Sequence, residues 1–154
     1  MSKLTLKTDG ETEIIVTRRF AASPEAVFKA HTDPKVMQQW LLGPDGWTMP
    51  VCINNARPGG KIRCEWTDGN GGDFYLTGEY IEVTPFSRIV HVERMHLPDP
   101  TPDNHVETTF QAEGGGTLMV MRMSLPDAEA RKEMLATGME QGMEASYERL
   151  EGML

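Results

Sequence analysis

A chain of 154 residues, 39% hydrophobic and 25% charged, has the size and composition of one folded domain that needs no disulfide or metal staple. Its 23 acidic and 15 basic side chains leave a formal charge of -8, which repels phosphate backbones and anionic membrane surfaces and argues against nucleic acid as a partner. No run approaches the roughly 18 apolar residues of a membrane span, and the opening MSKLTLKTDGETE lacks the apolar core of a signal peptide. The chain is therefore read as cytoplasmic, without membrane insertion.

One domain over residues 1–154 is expected, with 1–12 as a flexible N-terminal segment. Glu13 to Phe20, EIIVTRRF, mixes β-branched residues with partial alternation and reads as a strand. Ser23 then caps a helix that Pro24 opens and Glu25 favours electrostatically, predicted to run to about His31. Asp33 and Pro34 repeat the signal, and Val36, Met37, Trp40 and Leu41 recur at helical spacing. Gly43, Pro44 and Gly46 end this second helix, in a loop expected to expose Trp47.

From Met49 to Ser124 the chain turns β-rich, with six predicted strands: Met49 to Asn54, Lys61 to Trp66, Tyr75 to Thr84, Arg88 to Met95, Val106 to Gln111 and Thr117 to Met123. Glycine, proline and asparagine clusters separate them, and only LPDPTPDN at 97–104 is long enough to serve as a flap.

The last element is predicted as one long helix from Ser124, with Asp127 completing a capping box. Leu135, Met139, Met143, Tyr147, Leu150 and Leu154 form its apolar stripe, and Glu140, Glu144, Glu148 and Arg149 occupy the other side. Beside the stripe run Met134, Gly138, Gly142 and Ser146; helix-interior glycines cost roughly 1 kcal/mol each, so close approach to the sheet or room for a ligand should offset them.

The order β-α-α-β6-α predicts an α+β helix-grip fold, a curved antiparallel sheet of about seven strands wrapped on the long C-terminal helix around a central cavity. The first strand is expected at an edge or paired with a distant strand. Cys52 and Cys64 read as buried thiols, with no CxxC pattern and no disulfide framework. Methionine, at 11 copies, suits irregular apolar packing and adaptable binding surfaces.

Several pieces, taken in order and spacing, carry a resemblance: RRF at 18–20 with SPEAVF at 23–28, TDP at 32–34 leading to Gln39 and Trp40, RPGG at 57–60, GEY at 78–80 with EVTP at 82–85, RIV at 88–90, GGT at 115–117, and a helix ending at 150–154. The chain resembles the SRPBCC (START-like, Bet v-like) superfamily, and within it domains similar to the activator of heat-shock-protein-90 ATPase. The resemblance implies a helix grip whose cavity holds hydrophobic or amphipathic molecules in many relatives, and it implies no single reaction. Asn55 and Gly142–Met143 stand where relatives commonly carry an aspartate and a Gly-Trp pair, which predicts a wider, softer pocket.

Alternation along the strands proposes the inward side chains. With the last helix they give a ligand-binding set of Trp40, Cys64, Trp66, Tyr80, His91, Glu93, Met95, Phe110, Met119, Met121, Met139 and Met143. His91 and Glu93, two apart on one strand, are the candidate acid/base pair. The four histidines show no HExxH or paired-cysteine spacing, so no metal is predicted, and the glycine runs lack both dinucleotide and phosphate-loop context, so no cofactor is predicted. The expected function is binding of a small hydrophobic molecule; the alternatives are a chaperone-ATPase-modulating interaction module and a cofactor-free cyclase or hydrolase. Monomer and homodimer both stay open, because strand edges can pair.

Overall fold

The computed structural model describes residues 3–154 as one curved antiparallel sheet of eight strands carrying four helices. The strands are β1 (Thr5–Asp9), β2 (Glu13–Phe20), β3 (Thr48–Asn54), β4 (Lys61–Thr67), β5 (Asp73–Thr84), β6 (Arg88–His96), β7 (Asn104–Glu113) and β8 (Gly116–Ser124). The helices are α1 (Pro24–Thr32), α2 (Pro34–Trp40), α3 (Ala128–Leu135) and α4 (Met139–Met153). Spatial order is β1-β2-β8-β7-β6-β5-β4-β3, so β2 lies beside the last strand and every other neighbour is a hairpin partner. This is the helix-grip architecture. Among the described residues, no helix is long and apolar enough to cross a membrane.

Local chemistry explains most boundaries. Ser23 and Asp33 cap α1 and α2 through their side-chain oxygens, and proline opens each helix. Pro50 cannot donate a ladder hydrogen bond and sits in the register shift between Thr48 and Val51. Gly60 follows the turn after β3, where a Cβ would lie 1.8 Å from the Asn55 carbonyl oxygen, so only glycine fits. A second shift between Tyr80 and Glu82 bends β5 and turns Ile81 outward.

Four expectations need correction. Residues 5–9 are ordered as an eighth strand paired with β2, because Gly10 at φ 55 allows a tight return and Leu4 is buried in the core. The C-terminal helix is two helices: Gly138 stands in the left-handed region at φ 81 and breaks it between Leu135 and Met139. Asp127, rather than Ser124, caps α3, and Ser124 remains in β8. Trp47 is half-buried, edge-on to Phe74 at 5.2 Å, because the loop folds back onto the sheet end.

The core lies between the concave sheet face and the helices. Ile14, Val16 and Phe20 of β2, Phe110 of β7 and Met119 of β8 meet Val27 and Phe28 of α1, Trp40 of α2, and Tyr147 and Leu150 of α4. Their parity is that of the alternation rule: every second residue along each strand points inward.

Candidate functional site

The small-residue row of the C-terminal helices does not face the sheet. Gly142 approaches Pro44, and the buried Ser146 hydroxyl accepts a 2.8 Å bond from the Gly43 backbone N–H. Arg149, expected on the solvent side, reaches the Trp40 and Gly43 carbonyls at 3.0 and 3.2 Å. Together they pin the loop after α2 against α4.

A cluster of three charged side chains ties the other flank of α4 to β2. Arg18 shares the inward parity of Ile14, Val16 and Phe20 and is 2% exposed; its guanidinium lies 3.1 Å from Glu151 and 3.8 Å from Glu144. Glu144 also accepts the Leu4 N–H at 2.6 Å, so it faces the sheet instead of solvent. Burying an arginine is tolerated only with such partners. A charge on the inward parity of EIIVTRRF was the signal for it, although composition alone gave Arg18 no role.

Of the predicted ligand-binding side chains, six are packed into the core. The Trp40 indole donates to the Ala30 carbonyl at 2.9 Å and stacks on Tyr147 at 5.9 Å. The Trp66 indole donates to the Leu41 carbonyl at 2.8 Å and stacks on Phe74. Phe110 sits edge-on to Phe28 and His31, and Cys64 and Met119 are enclosed. Tyr80 donates to Asn54 at 2.8 Å, and Asn54 in turn donates to the Thr32 carbonyl, so the hydroxyl secures the end of α1; burial pushes its ionisation up to about 12.

His91, Glu93, Met95, Met121, Met139 and Met143 remain half-buried. His91 and Glu93 meet as expected, with Nε2 2.7 Å from the Glu93 carboxylate and side-chain exposures of 16% and 19%. Glu93 lies near Cys64, Tyr80 and Tyr147: burial raises the ionisation of the two tyrosines, the Cys52 hydrogen bond and burial raise that of Cys64, and the Glu93 charge adds a smaller effect in each case.

The residue that sequence reasoning missed is Asn104, assigned to the 97–104 loop but found at the start of β7, directly opposite Glu93. Cross-strand partners share a face, so its side chain lies on the inner face beside the His91–Glu93 pair. It is 1% exposed, and neither its amide nitrogen nor its amide oxygen has a hydrogen-bond partner. His91 Nδ1 is likewise buried and unpartnered. Unpaired buried polar atoms cost about 1–3 kcal/mol each, and native interiors hold few of them.

A family model described as Activator of Hsp90 ATPase homolog 1-like protein matches residues 21–154. The chain belongs to this family. A protein from Rhodobacter sphaeroides superposes with a TM-score of 0.91 at 31% identity, covering 98% of this chain and 97% of that one. A protein from Mycobacterium smegmatis gives 0.88 at 22% identity over 98% and 96%, and one from Nitrosomonas europaea gives 0.81 at 23% over 94% of each. At those identities the last two speak for the fold alone. No curated protein matches the chain.

In this family member the inner face adjoins a pocket of about 150 Å³ lined by Met95, Leu97, Leu125, Ala130 and Met134. It lies between α3 and the 97–103 loop, which is held down by Thr101 N–H to the Met95 carbonyl at 2.7 Å and by an Arg94–Asp103 ion pair. Register places Asn104 opposite Glu93 and Leu125 one residue past the His105–Ser124 pair, so the Asn104 backbone neighbours that of a pocket-lining residue, while Asn104, His91 and Glu93 themselves do not line the pocket. A larger groove of about 480 Å³ lies across the sheet end, where Arg63 pairs with Glu65 and covers Tyr75, which stacks on His96, and His96 bonds the Thr77 hydroxyl. Asn104 and His91 bring three unpartnered polar atoms together on the inner face; the other buried unpartnered atoms among the described residues, on Arg18, His31, Arg88 and Glu144, lie elsewhere in the fold.

Proposed function

We propose that the protein binds a hydrophobic or amphipathic small molecule on the inner face of the grip, admitted past the 97–103 loop and α3. The observation that carries this reading is Asn104, a fully buried amide with both ends unpaired, set beside His91 and Glu93 in otherwise apolar, methionine-rich surroundings. Ligand sites have this composition: apolar walls with a few convergent polar groups that fix orientation. The amide offers one acceptor and two donors, and His91 Nδ1 is an acceptor when Nε2–H bonds Glu93. The complementary ligand is an apolar body bearing a hydroxyl, amide or carbonyl group. Half-buried Met95, Met121, Met139 and Met143 supply flexible walls that adapt to its shape.

An amide NMR titration against lipids, flavonoids and polyketide-like aromatics tests this. Shifts clustering on residues 91–95, 104 and 121 and along α4 are expected. Their loss in Asn104→Leu would assign the polar contact, whereas no shifts with any class would remove the reading.

The family's description supports a second reading, a module that modulates a chaperone ATPase. An unchanged chaperone ATPase rate on addition of the protein would eliminate it. The cyclase or hydrolase alternative rests on the His91–Glu93 contact, and it fails if the double alanine variant keeps full activity on any substrate the titration identifies.

A further inference from the structure

Cys52 and Cys64 have no part in ligand recognition as proposed above. They stand directly opposite each other on β3 and β4, their sulfurs 4.0 Å apart. Directly opposed antiparallel residues have Cα atoms about 4.5–5.5 Å apart, within the range spanned by disulfide-bonded pairs. The pair therefore meets the backbone-spacing requirement for a disulfide, with the sulfurs already in contact.

The two thiols are unequal. Cys64 is enclosed, whereas Cys52 is half-buried on β3, the strand at one edge of the sheet. The hydrogen bond between them holds the Cys52 thiol below its usual ionisation and, with burial, pushes that of Cys64 up. Exposure on the edge strand makes Cys52 the sulfur that a dissolved oxidant meets first, with Cys64 enclosed behind it.

We propose that Cys52 and Cys64 form an oxidation site for hydroperoxides, in which Cys52 attacks and Cys64 resolves to close a disulfide between β3 and β4. In the first step the Cys52 thiolate attacks a peroxide oxygen. The S–O bond forms, the O–O bond breaks, and the second oxygen leaves as hydroxide from hydrogen peroxide or as alkoxide from an organic hydroperoxide, which solvent protonates to water or alcohol. In the second, Cys64 Sγ attacks the Cys52 sulfenic sulfur; the S–S bond forms, the S–O bond breaks, and the departing hydroxide takes the Cys64 thiol proton. The sulfur pair loses two electrons and the peroxide gains them.

Hydrogen peroxide added to the purified protein, with aliquots quenched, alkylated and weighed intact, tests this. The expected product loses both alkylatable thiols together, gains no oxygen, stays monomeric on a non-reducing gel and reverts with dithiothreitol. In Cys64→Ala, Cys52 should accumulate as a dimedone-trappable sulfenic acid; in Cys52→Ala, Cys64 should react at least about tenfold more slowly. Cys52 carrying two or three oxygens while Cys64 stays alkylatable would overturn the proposal. So would an intermolecular dimer, or survival of both thiols in peroxide that fully oxidises free cysteine. The wild-type mass result stands even if a variant fails to fold.

Discussion

At the scale of single residues, two buried side chains make opposite demands on solvent. His31 Nδ1 lies 2.8 Å from the Val27 carbonyl, an acceptor that assigns the proton to that nitrogen, and the ring packs against Trp40 and Phe110. Burial lowers its ionisation from 6.5 to about 4, against a smaller opposing effect of the Val27 bond. The unfolded chain therefore binds a proton between these values that the folded chain refuses. His31 contributes no penalty above pH 6.5; below it, stability falls and levels off under pH 4, by at most about 3 kcal/mol. Urea unfolding of wild type and His31→Phe across this window should diverge by that slope, and parallel curves would mean the ring is solvated. Asn104 is the counterpart, a polar group held without partners. Asn104→Leu should leave stability unchanged or raise it by about 1 kcal/mol in urea, since an unsatisfied amide is removed. A loss above that size would show the amide to be paired in solution.

At the scale of elements, α4 is held by unlike devices on its two flanks. Arg18 bonds it to β2 through Glu144 and Glu151, and Ser146 with Arg149 fastens it to the loop after α2. Between them Tyr147 and Leu150 enter the core, edge-on to Phe20 in the case of Tyr147. Leu150 is fully enclosed, so Leu150→Ala should cost about 2–5 kcal/mol by chemical denaturation; a much smaller loss would mean the helix docks elsewhere. The break before α4 depends on backbone conformation alone. A Cβ at Gly138 would meet only the Gln141 side-chain oxygen at 4.0 Å, yet its φ of 81 disfavours any L side chain. Gly138→Ala should accordingly cost about 1 kcal/mol, or straighten the α3–α4 junction in a way that circular dichroism would record as added helix.

At the scale of the whole molecule, the sheet runs from β1 at one edge to β3 at the other, and β1 covers β2. Removing residues 1–9 takes away the buried Leu4 and its backbone bond to Glu144, and it bares the β2 edge. The shortened chain should lose about 2–4 kcal/mol and gain a tendency to pair edge to edge, visible as concentration-dependent elution. Unchanged stability would mean β1 is dispensable to the grip. Local chemistry was sufficient for most of the elements, though not for β1 or for the break between α3 and α4: caps at Ser23 and Asp33, prolines after them, glycine turns between alternating strands, and an apolar stripe that includes Tyr147 and Leu150 are short-range signals that survive folding. The inner and outer parity of the strands follows from the same period of two. What neighbouring residues cannot encode is register and partnership across the chain. That Arg18 faces acids 126 and 133 residues away, that Ser146 reaches Gly43, and that Asn104 stands unpaired opposite Glu93 are consequences of how the sheet curls and the helices settle on it. Residue types determined which groups could carry function; only the tertiary structure decided which of them are consumed in holding the fold and which are left free to bind.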